Sequence, residues 1–301
     1  MNSRIQKIDH PELIKRKIQL YIKREDELHP VISGNKIRKL KYNLKAAKAQ
    51  NKKRLLTFGG AFSNHLLATA AAAKEHKFKA VGVVRGAELA YQDLNPTLSK
   101  AVRFGMQLRF VSRDYYKNLT QQNAELPPEI NGSDLYVIPE GGANELAVRG
   151  CQEILTEADE DFNFIFCAAG TGTTMAGLAK SIKAPQKLIG VASLRDLSLK
   201  DRIADLSEQS EFELWDEYHL GGYAKINSAY IDFLNDFYLQ TKVLLDPIYT
   251  GKMMYAIFDR VNFGNFEKES QILAIHTGGL QGIQGMNQRL HRLKMSQLLC
   301  E

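Results

Sequence analysis

The chain has 301 residues, 44% of them hydrophobic and 25% charged, and carries a net charge of +6. Such values exclude a disordered or fibrous chain and allow one large or two medium domains with a sizeable core. The basic excess suggests nucleic acid, but the stretch from Lys15 to Arg54, with 14 of the 40 Lys and Arg, holds only Tyr21 and Tyr42 as aromatics and no zinc-finger, RRM or KH signature, which argues against that partner.

No apolar run approaches the roughly 20 residues of a membrane span, so no membrane partner is expected. The start, from Met1 to Lys7, lacks the apolar segment of a signal peptide, and a cytoplasmic location is expected. Cys151, Cys167 and Cys300 are far apart and form no CxxC pair, which argues against a metal site or a disulfide framework. Cys167 lies in an apolar run and reads as a small buried hydrophobe.

In chain order, an extended run at 18–24 leads to Ser33-Gly34-Asn35-Lys36-Ile37-Arg38-Lys39-Leu40, which opens a helix to about residue 50. The helix dipole disfavours a lysine in the first turn, so this run is either a solvated basic face or holds cations for chemistry. Apolar runs at 55–58, 80–84, 108–111, 135–138, 162–169, 188–192 and 272–276 each end in glycine or a small polar residue or run into one. Most precede helix-like segments, among them 64–74, 145–158, 173–183 and 227–241. Near-continuous apolar strands alternating with helices predict an α/β, doubly wound class with parallel sheets. Tyr230, Phe233, Leu234, Phe237 and Tyr238 recur at helical spacing and read as core. Boundary candidates lie near residues 45 and 150.

Ligands gather at the carboxyl ends of strands in such sheets. Gly170-Thr171-Gly172-Thr173-Thr174 follows a strand and opens a helix, where backbone N–H groups and hydroxyls can surround a phosphate. A plain helix cap is the competing reading. The loop is neither a dinucleotide fingerprint nor a Walker loop, because Met175 stands where glycine is needed and no lysine follows in place. Ser63-Asn64-His65, after Gly59-Gly60, reads as an N-cap or as a carboxylate cradle. Asp246-Pro247-Ile248-Tyr249-Thr250-Gly251-Lys252 reads as a proline turn with a packed tyrosine, or as a source of Tyr249 as an acid or base. A lysine, a phosphate loop, a carboxylate loop and a tyrosine suit pyridoxal 5'-phosphate (PLP) acting on an amino acid.

The order of these motifs, together with Lys23-Arg24-Glu25-Asp26, Pro139-Glu140-Gly141-Gly142 and His276-Thr277-Gly278-Gly279, resembles the D-cysteine desulfhydrase and 1-aminocyclopropane-1-carboxylate (ACC) deaminase family. These are fold-type II PLP enzymes, similar to the tryptophan synthase β subunit. The resemblance implies two doubly wound parallel-sheet domains: residues 1–45 with 151–301 as a large PLP-binding domain, and 46–150 as a small one. A homodimer is expected. Lys36 would carry the cofactor as an imine, Asn35 would bond its ring hydroxyl, and Gly170, Thr171, Gly172, Thr173 and Thr174 would hold its phosphate. Thr250 would meet the pyridine nitrogen. Ser63, Asn64 and His65 would face the substrate carboxylate, with Ser63 also close to the reacting carbon, Tyr249 near the substrate as a catalytic residue and Tyr223 a further active-site tyrosine. ACC deaminases carry Glu where this chain has Thr250 and Gln where it has His65. Both differences point to β-elimination from a small D-amino acid, D-cysteine first, giving pyruvate, ammonia and hydrogen sulfide. ACC deamination to 2-oxobutanoate and ammonia is the enzyme alternative; a non-catalytic PLP- or phosphate-binding protein is the other.

Overall fold

The computed structural model of the chain describes residues 1–121, 125–209 and 211–300. From the N-terminus come β1 (Ile5–Ile8), α1 (Pro11–Arg16), β2 (Gln19–Lys23) and α2 (Asn35–Ala49). Next are β3 (Arg54–Gly59), α3 (Asn64–Glu75), β4 (Lys79–Arg85), α4 (Pro96–Arg103), β5 (Met106–Val111), α5 (Arg113–Gln121) and β6 (Leu135–Ile138). The chain continues through α6 (Glu145–Gln152), β7 (Phe164–Ala169), α7 (Thr173–Ala179), β8 (Lys187–Ala192), α8 (Leu199–Ser207) and β9 (Glu213–Trp215). It closes with α9 (Ser228–Thr241), α10 (Thr250–Asn262), β10 (Gln271–Ile275) and α11 (Gly282–Arg292).

These strands form two sheets. One has six strands in the order β1-β2-β10-β7-β8-β9; the other has four, in the order β5-β4-β3-β6. Every pairing is parallel except β1 with β2. Parallel strands covered on both faces need apolar side chains on both, and the inner strands comply: Leu55, Leu56, Ile165, Phe166, Ile272 and Leu273 are fully buried. The α/β parallel class read from the sequence is thus the observed one. The edge strands β1 and β9 were not legible, being short and only partly buried.

All four strands of the smaller sheet lie within residues 54–138, while the expected cuts at 45 and 150 fall inside α2 and α6. Two predicted helices are shorter than expected. The one from 145 stops at Gln152 because Thr156 starts a new turn, its amide bonded to Asp159 at 2.7 Å in a capping box. The one from 173 stops at Ala179, ahead of Pro185, which cannot continue a helix. The aromatic stripe of α9 is core, with Tyr230, Leu234 and Phe237 buried, and so is Cys167.

Helix α2 is locked between the sheets by charge as well as by packing. Arg38 and Glu25 are both fully buried, and the guanidinium donates to both carboxylate oxygens at 2.8 Å. A fork-to-fork pair of this kind fixes helix rotation, and removing one partner strands a buried charge. Arg38 is therefore not part of a solvated basic face.

Candidate active site

The carboxyl ends of both sheets, with the first turn of α2 between them, enclose a cavity of about 950 Å³. It brings together Asn35, Lys36, Ser63, Asn64, His65, Gly170, Thr171, Gly172, Thr174, Tyr223 and Tyr249, which lie far apart in the chain. Thr173 is buried just behind the wall, its hydroxyl 3.2 Å from that of Thr171.

The lysine is placed by backbone geometry. Gly34 caps α2 with φ 64°, and the next amide, Asn35, donates to the Thr277 carbonyl at 3.2 Å. Lys36 Nζ then donates to Asn35 Oδ1 at 3.0 Å, while Asn35 Nδ2 donates to Thr174 Oγ1 at 2.8 Å. The second N–H of that amide is still available to a ligand. Burial, reinforced by the charge of Lys39, brings Lys36 down to about 7, so its amine is largely free of its proton just above neutral pH.

Lys39, one turn on, is the residue the sequence most undersold. It is buried, and its Nζ donates to the Gly141 carbonyl at 3.1 Å and reaches Thr171 Oγ1 at 3.5 Å. That puts a second ammonium against the Gly170–Thr174 loop. With the loop's hydroxyls and amides it makes a donor set suited to a phosphate dianion. Desolvation lowers this amine, and an anion alongside would favour its charged form.

The opposite wall comes from the smaller sheet. Ser63 caps α3 by accepting the Leu66 amide at 3.3 Å, which leaves its own proton free to donate. His65 is buried, and neither ring nitrogen meets full hydrogen-bond geometry among the described residues, although the Pro139 backbone lies near enough to favour the protonated ring. Burial first, then the charges of Lys36 and Lys39, hold its imidazole well below its usual pKa, so the ring is neutral.

From the larger sheet comes the turn before α10. Asp246 Oδ1 accepts the amides of Tyr249 at 2.6 Å and Thr250 at 3.1 Å; Oδ2 has no partner among the described residues. Burial lifts this carboxyl to about 7 despite those bonds. Tyr249 lies on the phosphate loop, where a side chain on Gly170 would come within 2.9 Å of its ring. Its phenol is pushed well above the ordinary value by burial, so Tyr249 can donate a proton but is a poor base.

Thr250 is a correction. It is fully buried, it is not among the residues of the cavity wall, and its hydroxyl accepts the Asp246 amide at 2.9 Å. The hydroxyl sits in its own turn, behind the wall, with the Asp246 carbonyl 3.5 Å away. Lys39, Asp246 and Thr277 line the cavity without having been assigned roles from sequence, although Asp246 and Thr277 stand inside motifs that were noticed.

These groups fit pyridoxal phosphate: an anion site at one end, a low-basicity amine within reach, and unpartnered polar atoms on the far walls. The comparisons agree. A family model described as pyridoxal-phosphate dependent enzyme matches residues 5–278. A Thermotoga maritima protein provisionally named 1-aminocyclopropane-1-carboxylate deaminase is 32% identical, over 90% of this chain and 92% of its own length. A Pyrococcus horikoshii protein of the same provisional name is 34% identical, over 87% and 85%. The crystal structure of an ACC deaminase homologue, 27% identical, covers 97% of this chain and 94% of its own with a TM-score of 0.81. A threonine deaminase from Solanum lycopersicum, 17% identical with a TM-score of 0.65, shares the fold. The family match takes in Lys36, the 170–174 loop and Tyr249, and the chain belongs to the pyridoxal-phosphate dependent enzymes of fold type II, among their ACC deaminase-like members.

Proposed function

We propose that this enzyme deaminates a small D-amino acid by β-elimination, with D-cysteine as substrate. The observation that carries the reading is the buried, neutral, unpartnered imidazole of His65 in the cavity wall. Both substrates offer that ring a carboxylate, and a β-thiol adds a heteroatom partner that the carbon ring of ACC lacks.

Bound here, the cofactor supplies the electron sink that makes an amino acid's α-proton removable. Asn35, Lys36, Lys39 and the Gly170–Thr174 loop hold it. Ser63 and Asn64 donate to the substrate carboxylate, each charge-assisted bond contributing on the order of 1.5–3 kcal/mol. Lys36 takes the α-proton at Nζ, and a base with a pKa of about 7 suits work near neutral pH. The Cβ–S bond then breaks with its electron pair leaving on sulfur. Tyr249, a phenol that keeps its proton, donates rather than accepts. Over the whole reaction one water is consumed, and pyruvate, ammonia and hydrogen sulfide are released.

ACC deamination is the second reading, favoured by the names of the relatives at 32% and 34% identity. Assay of the purified holoenzyme on both compounds separates them. Sulfide and pyruvate from D-cysteine are expected. 2-Oxobutanoate from ACC with no sulfide from D-cysteine would overturn the choice, and no product from a panel of D- and L-amino acids would leave a PLP-holding protein without turnover.

A further inference from the structure

Three backbone carbonyls converge on one buried ammonium behind the cavity wall. Lys252, in the first turn of α10, is fully buried, and its Nζ donates to the carbonyls of Ser193 at 3.1 Å, His219 at 2.9 Å and Gly222 at 2.9 Å. An ammonium has three N–H donors, so the set is complete. Ser193 follows β8, and its own amide bonds Ala169 at the end of β7, next to the phosphate loop. His219 and Gly222 belong to the turn that carries Tyr223.

That turn cannot hold its shape alone. Leu220, Gly221, Gly222 and Ala224 all have left-handed backbone, at φ 56°, 95°, 129° and 53°. Leu220 and Ala224 pay sterically for it, and such backbone persists only where surroundings fix it. Apart from Lys252, its fixings are bonds to His219, a Lys225–Gly222 backbone bond and Arg289 to the Ala224 carbonyl at 2.7 Å. Lys252 ties the turn to β8 and α10 at once, next to the Tyr218–Asp259 and Glu217–Arg260 bonds that hold the preceding residues to α10. The ammonium is absent from the cavity wall, whereas Gly222 and Tyr223 are in it.

We propose that Lys252 is a positioning residue for the substrate side of the site. It pins the 219–222 turn so that the half-exposed Tyr223 stays on the wall it shares with Tyr249. This rests on the reading above, in which Tyr223 meets substrate; its effect is on KM and leaves the cofactor side alone.

The test uses the PLP-loaded enzyme and Lys252→Met, which keeps the stem and removes the charge. Deuterium exchange at residues 217–225 is expected to quicken about tenfold while α2 and the 170–174 loop are unchanged. KM for D-cysteine should rise by about as much, with the cofactor absorbance intact. In a Tyr223→Phe background the same substitution should raise KM less than about twofold, because both changes act through one group. Unchanged exchange at 217–225, or KM effects that simply multiply, would overturn the proposal. Should Lys252→Met not fold, Gly222→Ala displaces the same carbonyl: nothing stands within 4 Å of the added carbon, but its φ of 129° is closed to alanine. The same pattern of exchange and KM is expected. A wild type that does not turn over D-cysteine defeats the substrate reading, and the exchange measurement then decides Lys252 by itself.

Discussion

The Asn35 amide donates to the carbonyl of Thr277 at 3.2 Å, so the end of β10 seats the first turn of the helix that carries Lys36. The approach leaves no space at the preceding residue: a carbon added to Gly34 would lie 1.9 Å from that same oxygen, and φ there is 64°. Gly34→Ala should therefore lower Tm by at least about 4 °C and weaken PLP retention. Gly264→Ala is the control. Its φ of 76° carries the strain but nothing lies within 4 Å, so PLP retention should be normal, as read by absorbance after dialysis.

The amine of Lys36 should be a usable nucleophile near neutral pH. With a pKa of about 7, its unprotonated fraction climbs from pH 6 to pH 8 and is then nearly complete. The rate at which the apo-protein gains its PLP absorbance band should rise about tenfold over that interval and level off, and Lys36→Ala should show no band. A rate that keeps climbing to pH 10 would mean an ordinary lysine.

Lys39 and the phosphate should depend on each other. Lys39→Met removes a charge-assisted donor and should weaken PLP binding by about 10- to 100-fold. Pyridoxal, which lacks the phosphate, should bind the variant and the wild type equally. Equal losses for both ligands would place the defect in the fold instead.

The Asp246 carboxyl makes stability fall with rising pH. Its folded pKa, about 7, lies above the ordinary value of 3.8, so between those limits the folded state keeps a proton that the unfolded chain has lost. The contribution of this group to stability therefore drops as pH rises through that window. Asp246→Asn keeps an acceptor for the Tyr249 and Thr250 amides and does not titrate. Its Tm relative to wild type should be higher at pH 8 than at pH 5 in the apo-protein.

Motif order made Lys36, the Gly170 loop and Ser63-Asn64-His65 legible, the last two because they stand just after strands and the class of sheet says what strand ends do. What escaped depends on partners distant in the chain or on burial. Arg38 and Lys39 looked like a basic surface because Glu25, Gly141 and Thr171, which bury them, are not their neighbours in sequence. Spacing did not reveal that Thr250 is buried off the cavity wall, its hydroxyl accepting the Asp246 amide four residues back. β1 went unread because Gln6 and Lys7 interrupt its apolar pattern, and β9 because three residues carry too little of one.

The two walls of the cavity have separate origins. The phosphate loop grows from the six-stranded sheet, whereas Ser63, Asn64 and His65 grow from the four-stranded one. Replacing residues 54–138 with the corresponding segment of a relative would therefore change the Ser63–His65 wall while Tyr223, Tyr249 and the phosphate loop stay with the other sheet.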